Sequence, residues 1–229
     1  MSGPFKEIEE YIHNAYLQNY EALTEELKCP PDGELYTVDG AKLQCLNTIL
    51  EFNLDECYIG KSALEKSGDG LFAKNDLVEG QVITFYPGDV ASCVPNGDAS
   101  KPDHVSLESY SQRFKTQFEN KEKLNVSILN EYTYDVDKNY RIMGCPYFTD
   151  NANYMGHFIN DGVKLDVEGC DESYLASSSL KANCIFYHIK DLLVAIISTK
   201  YIKKGDELYI KYGTEYWKSY NKRNQAEST

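Results

Sequence analysis

Ala195-Ile196-Ile197-Ser198-Thr199-Lys200-Tyr201-Ile202-Lys203-Lys204-Gly205-Asp206-Glu207-Leu208-Tyr209-Ile210-Lys211-Tyr212-Gly213 is a run of β-formers broken by a charged Lys-Lys-Gly-Asp turn. Its apolar, β-branched start predicts a short strand, and Gly205-Asp206 a tight turn before a second one. Working back from it, Asn183–His188, Gln81–Tyr86 and Tyr58–Leu64 are similar brief runs, bounded by Gly, Asp, Asn or Lys. From Cys57 onward the chain therefore reads as mainly β with α insertions, made of short strands and small sheets joined by many loops. Taken alone, the segment ending at Tyr212 is an ordinary strand end.

Two stretches break this rhythm. Leu107, Tyr110, Phe114 and Phe118 have helical spacing, which predicts an inserted helix over 106–123. The stretch 162–182 contains Gly169, Asp171, Glu172 and Ser177-Ser178-Ser179, and reads as a long irregular loop. Before Cys57, apolar residues recur at steps of three and four from Phe5 to Leu27, up to the breaker Pro30-Pro31-Asp32-Gly33. A second helical pattern runs from Ala41 to Leu54. These patterns predict an N-terminal helical appendage over 1–56, or else core helices of one continuous domain. Residues 57–217 form the main domain in this reading. Residues 218–229 are polar and are expected to order only with substrate.

Of the 229 residues, 42% are hydrophobic, enough for a packed core, and the formal net charge is −13. The charge is uneven: 182–229 carry 8 Lys/Arg against 5 Asp/Glu, leaving 15 against 31 before them. Such an acidic surface repels phosphates, so no direct binding of DNA or RNA is expected. A basic, lysine-rich protein segment is the partner it would attract, although charge alone also serves solubility. The 7 Cys stand singly, with no C-x-C or C-x-x-C pair, which argues for a reducing compartment and against a zinc site. The N-terminus does not read as a secretory signal. No apolar run approaches the roughly 18–20 residues of a membrane span. The expectation is an intracellular protein, nuclear or cytoplasmic, with no membrane contact and no metal.

Four segments carry the chemistry, and their order matters. Ser67-Gly68-Asp69-Gly70-Leu71 comes first; its two glycines mark a turn where backbone can approach a ligand closely, but there is no third glycine for a dinucleotide fingerprint. Next is Val82-Ile83-Thr84-Phe85-Tyr86-Pro87-Gly88, a strand entering a turn. Gly156-His157-Phe158-Ile159-Asn160-Asp161 follows, with Ala182-Asn183-Cys184 later, and the C-terminal run quoted above is last.

This ordered set resembles the SET-domain methyltransferases, whose blocks run G-x-G, Y-x-G, R-F-I-N-H-S-C-x-P-N-C and D-I-x-x-G-E-E-L-x-x-x-Y-G. The likeness spans Tyr58 to Trp217. It implies the family's β-fold with a knot-like C-terminal crossing, and S-adenosylmethionine as cofactor, released as S-adenosylhomocysteine. It also implies methyl transfer to lysine in a protein, histone tails being the family's commonest substrate. Carried over by position, Tyr212 is the catalytic tyrosine. Gly68, Asp69 and Gly70 would offer backbone to the methionine end of the cofactor, and Asn160 a hydrogen bond. Asp161, where the family has histidine, would supply backbone contacts to adenine, and Tyr86, Phe158 and Trp217 walls of the pocket. Tyr132 and Tyr134, in Glu131-Tyr132-Thr133-Tyr134-Asp135, resemble the family's Y-x-F-D strand. This would make Tyr132 a second catalytic-site tyrosine and place both in the lysine channel, with Ile210 and Tyr216. Ile210 is smaller than the family's usual aromatic, which points towards higher methylation. His157 stands where the family has arginine and reads as a partly exposed structural strand residue.

The chemistry suits these residue types. Displacement of methyl from a sulfonium by an amine requires alignment above all. An apolar aromatic channel disfavours the lysine ammonium, and a tyrosine hydroxyl with an ordinary pKa of about 10 stays neutral while steering the amine. The sequence departs from the family in the 162–182 insertion and in having no Cys after Cys184, which excludes the zinc-capped subclass. Competing readings are methylation of a non-histone protein, with the insert at 106–123 shaping selectivity, and a catalytically weak SET-like module that binds a partner. A cysteine hydrolase on Cys184 and His188 is remote, because no oriented base is visible.

Overall fold

The computed structural model describes residues 54–65, 67–93, 107–110, 131–136, 140–165, 169–189 and 193–227. The helical patterns before Leu54 lie outside the described residues, as does 111–123. Among the described residues, eleven short strands build four small sheets, of two, three, two and four strands. The chain divides into two units, one comprising 1–53, 85–157 and 187–195, the other 54–84, 158–186 and 196–229. No described helix is long and apolar enough to cross a membrane.

The uniform apolar runs become the most buried strands. β3 (Val82–Phe85) and β10 (Leu193–Ser198) are buried at every position. β10 sits in the middle of the order β3–β10–β9, with β9 spanning Cys184–Ile189. A central strand covered on both faces has no solvent side to reward polar alternation, hence the continuous Leu-Val-Ala-Ile-Ile.

In the second unit, β1 (Cys57–Lys61) and β2 (Asp69–Ala73) form an antiparallel hairpin from Cys57↔Ala73 to Lys61↔Asp69. The segment 202–208 runs beside β2: Ala73 N–H donates to Asp206 O (2.9 Å) and Leu208 N–H to Leu71 O (2.7 Å). β11 (Tyr209–Ile210) then pairs in parallel with β8 (Asn160–Asp161), setting Tyr209 against Asn160 and Ile210 against Asp161.

Two helices of this unit overturn expectations. The stretch read as an irregular loop contains α1, Asp171–Lys181, with Asp171 and Glu172 in its first turn and Lys181 in its last, matching the helix dipole. Its only buried residues are Tyr174 and Ser178, while Leu175 and Leu180 are exposed. The inward stripe is therefore polar, and a search for apolar periodicity passes over it. Residues 218–227 of the polar tail likewise lie in a helix, α2, Thr214–Glu227. There, buried Trp217 and half-buried Tyr216 anchor a helix whose other described side chains are mostly exposed, and Asn221 Nδ2 donates to Leu165 O (2.9 Å).

In the first unit, β4 (Val90–Cys93), β5 (Leu107–Tyr110), β6 (Thr133–Asp135) and β7 (Tyr140–Met143) form an antiparallel sheet ordered β5–β4–β7–β6. Leu107–Tyr110 is thus a strand, not the first turn of the inserted helix. Pairing with β4, Val90↔Tyr110 to Cys93↔Leu107, overrides the helical spacing of two residues. His157 also departs from expectation: it is buried in a 3₁₀ turn, Gly156–Phe158, with Nε2 3.2 Å from Cys145 O. Gly144 makes room for it, since a Cβ there would lie 2.6 Å from the imidazole.

Candidate functional site

The glycine turn is built for close approach. Gly68 has φ +69°, in the left-handed region, and a Cβ there would meet open space. Gly70 is buried, and a Cβ there would collide with Glu207 Oε1 and lie 3.1 Å from Asn160 Nδ2. The missing side chain lets both groups close over β2. Asn160 Nδ2 donates to Asp69 O (3.0 Å) and lies 3.4 Å from Glu207 Oε1, joining segments 91 residues apart.

Glu207 is a residue whose function the motif reading did not assign. Its buried carboxylate accepts from Ser62 Oγ (2.6 Å) and Ala63 N–H (3.1 Å) in the loop before the glycine turn. It also accepts from Tyr209 Oη (2.8 Å), whose phenol is pushed well above its ordinary range by burial and by that carboxylate. Asn183 locks the same strand: Nδ2 donates to Glu207 O (2.9 Å), and Tyr209 N–H donates to Asn183 Oδ1 (2.7 Å). Alternation along a strand puts Glu207 and Tyr209 on one side, the only signal in the sequence that could have paired them.

Tyr212 follows directly. Its hydroxyl donates to Ile159 O (2.6 Å), the carbonyl next to Asn160, and its N–H donates to Asp161 Oδ2 (3.0 Å). The half-buried ring meets Tyr216 edge-on at 4.5 Å and stacks near Trp217 at 6.1 Å. Ile210 is 2% exposed, a core residue on β11. Trp217 is 5% exposed, packs with Leu165 and Tyr174, and donates its indole N–H to Asp161 Oδ2 (3.0 Å).

Asp161 has a larger part than its sequence position suggested. The carboxylate is buried, at 3% exposure, and accepts five hydrogen bonds. Oδ1 takes Val163 N–H (3.1 Å) and Ser178 Oγ (2.8 Å), and Oδ2 takes Tyr212 N–H, Trp217 Nε1 and Tyr174 Oη (2.5 Å). Charge-assisted bonds of this kind are the strong ones. Burial, then the Asp161 bond, pushes the Tyr174 phenol up to about 12, so it remains a donor through neutral pH.

Tyr86, Tyr132, Tyr134 and His157 gather in the first unit. Tyr86 is buried, 5.5 Å from Tyr134 and 6.3 Å from His157 between ring centres; Tyr132 is 5.8 Å from His157. Tyr134 Oη lies 2.8 Å from His188 Nε2, and burial, then Asp135, pushes the phenol up to about 12. Cys184 is buried and its thiol is pushed above the usual range by that burial, the opposite of an activated nucleophile.

The residues around Tyr212 and the glycine turn suit a cofactor carrying a cationic sulfonium. They present peptide carbonyls and aromatic rings, and backbone at exposed Gly68 and Asp69. In the second unit the structure brings together Gly68, Asp69, Gly70, Asn160, Asp161 and Tyr212, with Tyr216 and Trp217. Phe158 is buried in that unit too. No curated protein matches the chain. The family model for the SET domain matches residues 68–213, which span the glycine turn through Gly213 and more than half of the sequence. The chain belongs to the SET-domain family.

Proposed function

We propose that this protein transfers the methyl group of S-adenosylmethionine to a lysine amine in a basic protein segment, a histone tail being the first substrate to test. The family's members are generally protein lysine methyltransferases that use this cofactor. The observation that carries the reading is the Tyr212 hydroxyl, held 2.6 Å from Ile159 O beside Asn160, which is itself bonded to the glycine turn. Three distant segments meet there in the order the family requires.

When bound, the cofactor supplies an electrophilic methyl on a positively charged sulfur. Backbone at Gly68, Asp69 and Gly70, with the Asn160 amide, would hold its methionine end; Phe158, Trp217 and the Asp161 backbone are assigned to the rest, and Tyr86 by the family's pattern alone. Asn160 gives one donor to Asp69 O, which fixes how its amide is presented. Tyr212, a neutral phenol, orients the incoming amine, and its hydrogen bond to Ile159 O prevents the ring from swinging. The lysine must arrive uncharged, which an aromatic lining favours by desolvation. Tyr216, 4.5 Å from Tyr212, supplies part of that lining. Tyr132, Tyr134 and Ile210 are assigned to the channel by the family's pattern alone.

The test is transfer of labelled methyl to separate histones and to a non-histone lysine peptide, with Tyr212→Phe alongside. Loss of the hydroxyl should lower kcat at least ~100-fold while the protein stays folded. Undiminished transfer by the variant would sink the role of Tyr212, and cofactor binding without transfer would favour a protein-binding module. Label on the non-histone peptide alone would replace the histone assignment.

A further inference from the structure

Resting on that reading of Tyr212, we propose that α1 is a clamp on the catalytic strand, with Tyr174 a positioning residue for Tyr212 that acts through the Asp161 carboxylate. Two consecutive amides define the backbone at the catalytic tyrosine. Tyr212 N–H is held by Asp161 Oδ2 (3.0 Å), and Gly213 N–H by Tyr174 Oη (2.9 Å). The same Tyr174 hydroxyl donates to Asp161 Oδ2, closing a ring of three bonds over the 212–213 peptide. Gly213 sits at φ +96°, a left-handed conformation in which the chain turns sharply after Tyr212. Holding the amides on both sides of that turn fixes the direction of the Tyr212 side chain.

The character of α1 supports the clamp. A helix kept only for packing buries an apolar stripe. α1 instead buries Tyr174 and Ser178, one turn apart, and both hydroxyls donate to Asp161. Trp217 Nε1 reaches the same carboxylate, so α1, the strand end and the start of α2 share one acceptor. Asp161 and the helix that follows it are two parts of one device: α1 delivers the donors that a buried carboxylate requires.

Tyr174→Phe is the deciding variant, since it keeps the ring that packs with Leu165 and Trp217 and removes only the hydroxyl. Amide exchange at Tyr212 and Gly213 should accelerate at least ~10-fold. The emission of Trp217, the single tryptophan of the chain, should shift. In methyl transfer, kcat should fall about 10-fold or more, with KM for the peptide within about twofold. A role in packing alone predicts unchanged exchange and kcat, and either result overturns the clamp, as does a raised KM with kcat intact. Should Tyr174→Phe not fold, Asp161→Asn, which keeps an acceptor oxygen without the charge, is read the same way; unchanged exchange and kcat there overturn the proposal. If the wild-type protein transfers no methyl group, the functional reading fails, while exchange and emission still decide whether the clamp exists.

Discussion

At the scale of single residues, the site depends on what is absent as much as on what is present. Gly70 has no Cβ, and Glu207 and Asn160 occupy the space. Gly70→Ala should destabilise the protein by ~1–3 kcal/mol through overpacking and weaken cofactor binding by displacing Asn160; thermal unfolding and cofactor titration measure the two effects. A variant with wild-type values of both would mean that Glu207 moves aside freely. Glu207 itself takes four donors on two oxygens. Glu207→Gln retains one acceptor oxygen, so at least one part-buried donor loses its partner, a cost of ~1–3 kcal/mol in unfolding free energy. Asn160, Tyr212 and the glycines could be picked from the sequence because each belongs to an ordered motif. The five donors on Asp161 could not, since they come from four segments between Val163 and Trp217.

At the scale of elements, α1 and α2 do different work with similar polarity. Lys218 of α2 meets Asp171 of α1 at 2.5 Å, but both side chains are about half exposed. Solvent screening leaves such a pair worth ~0–1 kcal/mol, so Lys218→Ala should move the unfolding midpoint little, in contrast to Tyr174→Phe. A large drop for Lys218→Ala would mean that the helices are held by charge and not by the buried Asp161 network. The missed helices share one cause: periodicity detects apolar stripes, and neither helix buries a broad one. β5 was missed for the opposite reason, because its pairing with β4 is a non-local fact that spacing within one segment cannot express.

At the scale of the molecule, charge and alkaline pH offer two tests. A net charge of −13 should draw a basic peptide, so KM for a lysine-rich substrate should rise with salt while kcat changes little. An ionic-strength-independent KM would remove charge from the account of substrate choice. The pH test follows from Tyr134 and Tyr174, whose phenols rise from the ordinary 10 to about 12. The folded state favours the neutral phenols, so their contribution to stability is full below pH 10 and is lost as pH climbs from 10 towards 12. Unfolding free energy should fall across that window. Tyr174→Phe should flatten part of the fall, and an unchanged slope would contradict the shift at Tyr174.

From the sequence alone came the family and the strand-rich texture after Cys57, together with Tyr212, Asn160 and the glycine turn as candidate site residues. Those features are local, or are ordered along the chain, and motif order survives in one dimension. The donors to Asp161, the helix at 171–181 and the way Glu207 and Asn183 lock the strand before Tyr212 became visible in the folded chain alone. Each is a matter of buried hydrogen bonding. A carboxylate withdrawn from water must find donors wherever the fold brings them, and no spacing rule says from which segments they will come.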